Sequence, residues 1–133
     1  MSSNPVESHS ETYRRGLQLR RQVLGADLVD HAFADADDFT IAVQDYVTEH
    51  AWGAVWDRAG LDLRTRSLIT ISILAAFGIR DELPRHLRAA IRNGASVEEI
   101  REALLQVAVY AGAPRAMDAF NLAKPILAEF KTT

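Results

Sequence analysis

The sequence predicts an all-α fold. Alanine is frequent and β-branched runs are few, which favours helix. No segment alternates apolar and polar residues as a half-buried strand does, whereas several place apolar residues three and four apart. A chain of 133 residues is the size of one compact domain. That domain is expected over 11–133, after a disordered tail at 1–10 that is polar and holds Pro5.

The elements follow in order. A first helix is expected over about Thr12 to Leu24, with Leu17, Val23 and Leu24 set among Arg14, Arg15, Arg20 and Arg21, and Gly25 as its stop. Asp37 and Asp38 favour the positive N-terminus of a second helix, along which Phe39, Val43, Tyr46, Val47 and His50 recur at helical spacing. Asp62 is placed to cap a third helix, about Leu63 to Phe77, closed by Gly78. Its centre, Leu68 to Phe77, is apolar on nearly every side, so it is expected to be buried all round, partly by subunit contacts. A fourth helix starts near Asp81, takes Pro84 in its first turn and runs to Asn93. Ser96 and Glu99 form a capping box that opens a fifth helix through Tyr110. Gly112 stops it, and Pro114 starts a sixth helix to about Phe130. The sum is a bundle of about six helices with short connections.

Composition removes several function classes. There is no cysteine, hence no disulfide, thiol redox chemistry, cysteine nucleophile or thiolate metal site. Fifteen cations face eighteen acids, for a net charge of −3, which argues against nucleic acid as a partner. The most apolar run, Leu68 to Ile79, is about half of the ~20 residues that a membrane-spanning helix needs. The first ten residues lack the basic-then-apolar pattern of a secretion signal, so a cytoplasmic protein is expected. All but two of the cations, Lys124 and Lys131, are arginine. Arginine suits two-point binding of carboxylates, although surface preference explains the bias equally simply.

The sharpest candidate for chemistry is the pair Glu82 and His86, four apart and so on one helix face. A carboxylate beside an imidazole fixes its tautomer and tunes its proton affinity. The plain alternative is a solvent-facing Glu–His pair, and two residues are too few for a metal site. Arg64 and Arg66 open the third helix, where the dipole disfavours a cation, so a carboxylate partner is expected, from a substrate or from a neighbouring side chain. Arg80 and Arg85 flank the Glu82–His86 segment and suit the same task. Trp52 and Trp56, i and i+4, read as core, interface or an apolar pocket wall. Tyr110, just before Gly112, is a hydrogen-bond donor for a pocket or for a structural partner. His31 and His50 read as structural. There is no phosphate-binding glycine loop, nucleophile elbow or two-histidine zinc helix.

Taken in order over about Tyr13 to Glu129, several segments resemble the 4-carboxymuconolactone decarboxylases, within the larger group of helical alkylhydroperoxidase D-like proteins. They are Trp52-Gly53-Ala54-Val55-Trp56, Gly60 to Leu68, Asp81-Glu82-Leu83 with His86-Leu87, Asn93-Gly94, Glu99 to Glu102, and Tyr110 to Pro114. The peroxidase relatives carry a C-x-x-C pair before the histidine. Here Glu82 stands where the second cysteine would be, which leaves acid/base chemistry.

The resemblance implies an alkylhydroperoxidase D-like helical bundle that forms a homo-trimer or homo-hexamer. It implies cofactor-free decarboxylation of 4-carboxymuconolactone to 3-oxoadipate enol-lactone in protocatechuate breakdown. His86 would then donate a proton and Glu82 would orient or reprotonate it. Arg64 and Arg66 would bind carboxylates, and Trp52, Trp56, Tyr110 and Arg85 would line the substrate. No metal is implied. His50-Ala51 before Trp52 and Pro84-Arg85 before His86 depart from the pattern. They leave room for another lactone or a β-keto acid as substrate, or for a helical oligomer that binds a ligand without catalysis.

Overall fold

The computed structural model describes residues 8–131, and every regular element among them is helical. There are seven α-helices and one π-helix, rather than about six helices. The chain falls into two compact units, divided after Gly60.

The first unit holds α1 (Glu11–Leu24), α2 (Ala26–Asp35), α3 (Ile41–Tyr46) and a π-helix (Val47–Trp56). Residues 1–7 of the expected tail lie outside the described residues, but Ser10 belongs to α1. Its hydroxyl accepts from the Tyr13 backbone N–H at 3.1 Å and caps the helix. α2 is the element that the sequence reading did not anticipate. Gly25, at φ 99°, ends α1 and admits α2 at once, so the punctuation read as a stop is a corner between two helices. Asp37 does not start a helix either. Its carboxylate accepts from the backbone N–H groups of Phe39 and Thr40, at 3.0 and 2.8 Å, in a turn that delays α3 to Ile41. The apolar face read from Phe39, Val43 and Tyr46 is exposed; the buried side of this segment is Thr48 and Trp52.

Packing of α1 on the π-helix rests on two glycines. A Cβ on Gly16 would lie 2.6 Å from the Gly53 nitrogen, and one on Gly53 would press into the Thr12 backbone. Only glycine permits that approach. Arg20, one of the four arginines among the apolar residues of α1, is buried. Its guanidinium donates to Thr48 Oγ1 at 3.1 Å and to Gln44 Oε1 at 2.8 Å, and lies 5.6 Å from the Phe33 ring centre.

The second unit holds α4 (Leu63–Phe77), α5 (Leu83–Arg92), α6 (Val97–Ala111) and α7 (Ala113–Glu129). Three stops and starts fall where the sequence puts them. Asp62 accepts from Thr65 N–H at 2.7 Å, Gly78 takes the left-handed conformation at φ 68°, and both arms of the Ser96–Glu99 capping box are closed at 3.0 Å. The core is made by Ile71, Leu83, Leu87, Ile100, Leu104 and Ile126, none more than 4 % exposed.

Polar ties connect these helices. Asn93 Nδ2 donates to the fully buried Ser67 hydroxyl at 2.9 Å, and Arg88 grips Glu129 through two nitrogens at 3.0 and 3.2 Å. α4 is not buried all round. Ser67, Ile71 and Ala75 face the core, while Ile69, Ile73 and Phe77, four apart, form an exposed apolar stripe. A single chain covers one side of this helix only.

Candidate active site

α5 carries the acid/base candidates. Pro84 sits in its first turn, where a missing N–H costs nothing, and so starts the helix just before His86. The helix turns Leu83, Leu87 and Ala90 into the core, and His86 goes with them: only 9 % of it is exposed. Burial, and then the positive charge of Arg85, push its pKa down from 6.5 to about 4. At neutral pH His86 is therefore an uncharged imidazole in a largely apolar setting.

Glu82 closes the turn before α5. Its backbone carbonyl accepts from His86 N–H at 3.3 Å, but its carboxylate meets the Arg85 guanidinium at 3.2 Å. The expected Glu82–His86 side-chain pair is thus drawn off by the competing i, i+3 partner. Arg85 is the charge that acts on His86.

Both arginines of α4 belong to this second unit as well. Arg64, half-exposed, forms an ion pair with Glu99 of the α6 capping box, so its carboxylate is a side chain of the same unit. Arg66 is half-buried one turn before Thr70, whose hydroxyl bonds back to the Arg66 carbonyl at 2.8 Å. Tyr110, expected in a pocket, is 82 % exposed near the end of α6. Trp52 and Trp56 lie in the first unit, on the π-helix, where their rings stack with centres 4.6 Å apart and planes 24° from parallel. Sequence reasoning missed Arg20 and the Ser67–Asn93 bond; neither has a short-range signal, because each depends on helices distant in sequence.

Two clefts accompany these helices. One, of about 420 Å³, is bordered by Thr12, Arg15, Asp57 and Arg58 in the first unit. The other, of about 310 Å³, lies between α6 and α7. Neither is lined by Glu82, Arg85 or His86. Among the described residues no three His, Asp or Glu side chains gather at metal-binding distance, and no helix is long and apolar enough to cross a membrane.

The profile of the Carboxymuconolactone decarboxylase family matches residues 42–125, from α3 into α7. The chain belongs to this family. The match covers the π-helix tryptophans, the α4 arginines and the whole Glu82–His86 segment. Within this family the chain is similar to a 4-carboxymuconolactone decarboxylase of Acinetobacter baylyi, at 40 % identity over 116 residues, 87 % of each chain. It is similar also to the nitrosuccinic acid decarboxylase npaB of Metarhizium robertsii, at 42 % identity over 121 residues, 90 % of this chain and 85 % of that one.

Proposed function

We propose that the chain is a cytoplasmic carboxy-lyase that decarboxylates 4-carboxymuconolactone to 3-oxoadipate enol-lactone, in protocatechuate breakdown and without a cofactor. The observation that carries the reading is His86, buried and uncharged beside Arg85 on α5, in a chain so similar to a decarboxylase of that lactone.

The chemistry needs little else. The departing carboxylate sits on a ring carbon joined through C=C to the lactone carbonyl. When the C–CO₂ bond breaks, its electron pair moves through that double bond onto the carbonyl oxygen, and a dienolate results. One proton delivered to the carbon α to the carbonyl gives the enol-lactone and leaves CO₂ as the other product. The substrate is its own electron sink, so the protein must bind two carboxylates, stabilise the oxyanion and supply the proton.

His86 is the proton donor in this reading. Its low pKa in the free protein is suited to change, because a dianion placed beside it favours the imidazolium and partly reverses the effect of Arg85. Substrate binding would thereby load the proton that the second step uses. Glu82 holds Arg85 in place and acts on His86 through it, Arg66 holds a carboxylate, Arg64 takes one in exchange for Glu99, and Tyr110 supplies a hydrogen bond. A homo-trimer or homo-hexamer completes the site. The exposed stripe of Ile69, Ile73 and Phe77, with Val109 and Tyr110 of α6, is the surface that subunit contacts would cover.

Incubation with the lactone and measurement of CO₂ release tests the reading. Turnover that falls by about 10²-fold or more in His86→Ala supports it; turnover within a few-fold of wild type removes His86 from the mechanism. The similarity to a nitrosuccinic acid decarboxylase favours one second reading. In that acid the carboxylate leaves a carbon bearing a nitro group, which accepts the electron pair as a nitronate, and the same proton delivery completes the reaction. Comparing kcat/KM for the two acids decides between them.

A further inference from the structure

The cleft between α6 and α7 combines two features that are unusual together. Its floor is apolar, with Ile100 and Leu104 each 1 % exposed and Phe120 and Leu127 half-buried around them. Its rim carries Arg101, Lys124 and Lys131, and no acidic residue lines it. Elsewhere in this unit Arg64, Arg80, Arg85 and Arg88 each hold a carboxylate. Among the described residues the three rim cations have no such partner, so positive charge is left uncompensated at this one mouth.

We infer that this cleft binds a small amphipathic monocarboxylate, a single-ring aromatic or medium-chain aliphatic acid, at a site separate from His86. Its volume of about 310 Å³ is twice the roughly 150 Å³ cavity that holds a benzene ring. It thus accommodates one ring or a chain of similar bulk. The apolar body displaces water from Ile100, Leu104 and Phe120, while the head group stays at the rim within reach of Arg101 and Lys124. A dicarboxylate with its charges at opposite ends fits poorly, because the end inserted into the cleft would lie against Ile100, Leu104 and Phe120, where Asn121 is the one polar lining side chain besides the rim cations. That mismatch distinguishes the cleft's ligand from the two-carboxylate substrate proposed for the α5 site, and the inference does not depend on that proposal.

Calorimetric titration of the full chain with octanoate and benzoate tests it, with 1-octanol and adipate as neutral and dianionic controls. Octanoate should bind more tightly than either control, and more weakly as salt is added. Each partly exposed ionic contact is worth only about two- to fivefold in affinity, so the Arg101→Glu/Lys124→Glu variant should bind octanoate about tenfold or more weakly. Arg101→Lys/Lys124→Arg should restore it, and His86→Ala should leave it unchanged. Circular dichroism shows that the double variant is folded; if it is not, the Arg101→Gln/Lys124→Gln pair, which removes charge without adding any, takes its place. Absence of octanoate binding overturns the inference, as do equal affinity for 1-octanol and loss of binding in His86→Ala with retention in the charge-reversal variant.

Discussion

The carboxylate of Glu82 lies 3.2 Å from the guanidinium of Arg85, although an imidazole is offered to it one position further along the same helix. His86 turns inward with Leu83 and Leu87, whereas Arg85 stays at the surface where the carboxylate is. Arg85 is in this way the link between an exposed acid and a buried base. Removing it should move the His86 pKa up from about 4, though not back to 6.5, because burial is the larger cause of the depression. NMR titration of the His86 ring protons in Arg85→Ala checks the direction; a pKa unchanged or lower contradicts it.

The same histidine sets a pH dependence of stability. Its folded pKa is depressed, so its contribution is fully present above the unfolded value of 6.5 and is lost as pH falls towards about 4. In that window the unfolded chain takes up a proton that the folded chain refuses. The loss is about 3 kcal/mol at its limit. Urea unfolding at pH 7 and pH 4.5 should show wild type losing more stability than His86→Gln, and equal losses in the two would refute the assignment.

Gly16→Ala should unfold the first unit selectively. The new methyl group meets backbone on the π-helix, at Thr48 and Gly53, and no side chain is available to yield. Overpacking of this kind costs about 1–3 kcal/mol, and more where backbone must move. Loss of amide-exchange protection in α1 and the π-helix, with the second unit protected as before, is the expected pattern.

Ser96→Ala removes one arm of the box that starts α6, where Ser96 Oγ accepts from Glu99 N–H. The expected cost is about 1 kcal/mol. Glu99 also pairs with Arg64, so a double-mutant cycle of Ser96→Ala with Arg64→Ala should show coupling rather than simple addition.

Phe77→Glu tests the proposed assembly. Phe77 is 71 % exposed at the end of the Ile69–Ile73–Phe77 stripe, so a charge there costs an isolated chain little. In an oligomer that buries the stripe, the unpaired carboxylate is strongly unfavourable. Light scattering should find wild type as a trimer or hexamer and the variant as a smaller species; a monomeric wild type refutes the proposal.

What could be read from the sequence was local. The caps at Asp62 and Ser96 and the stop at Gly78 each depend on residues within one turn, and they stand where the sequence puts them. α2 escaped because one glycine both ended a helix and began the next. The burial of Arg20 escaped because Thr48, Gln44 and Phe33 reach it from other elements. In the candidate site, the spacing of Glu82 and His86 allows a shared face, but Arg85 satisfies helical spacing equally well and takes the carboxylate, and only which side chain faces the core separates the two.

The π-helix has a consequence for variation in length. Its backbone bonds span five residues, as from Asp57 N–H to the Trp52 carbonyl, so each turn holds more residues than an α-turn would. Deleting a single residue between Val47 and Trp56 would let the segment rewind as ordinary α-helix without breaking the chain's path. The residues after the deletion would then be turned around the helix axis relative to those before it, because an α-turn holds fewer residues than the π-turn it replaces. A deletion before Trp52 would carry Trp52, Gly53 and Trp56 round together and take Gly53 away from Gly16. A one-residue indel here is therefore expected to act as a rotation of the aromatic pair, and point substitutions in the same ten residues would not reproduce it.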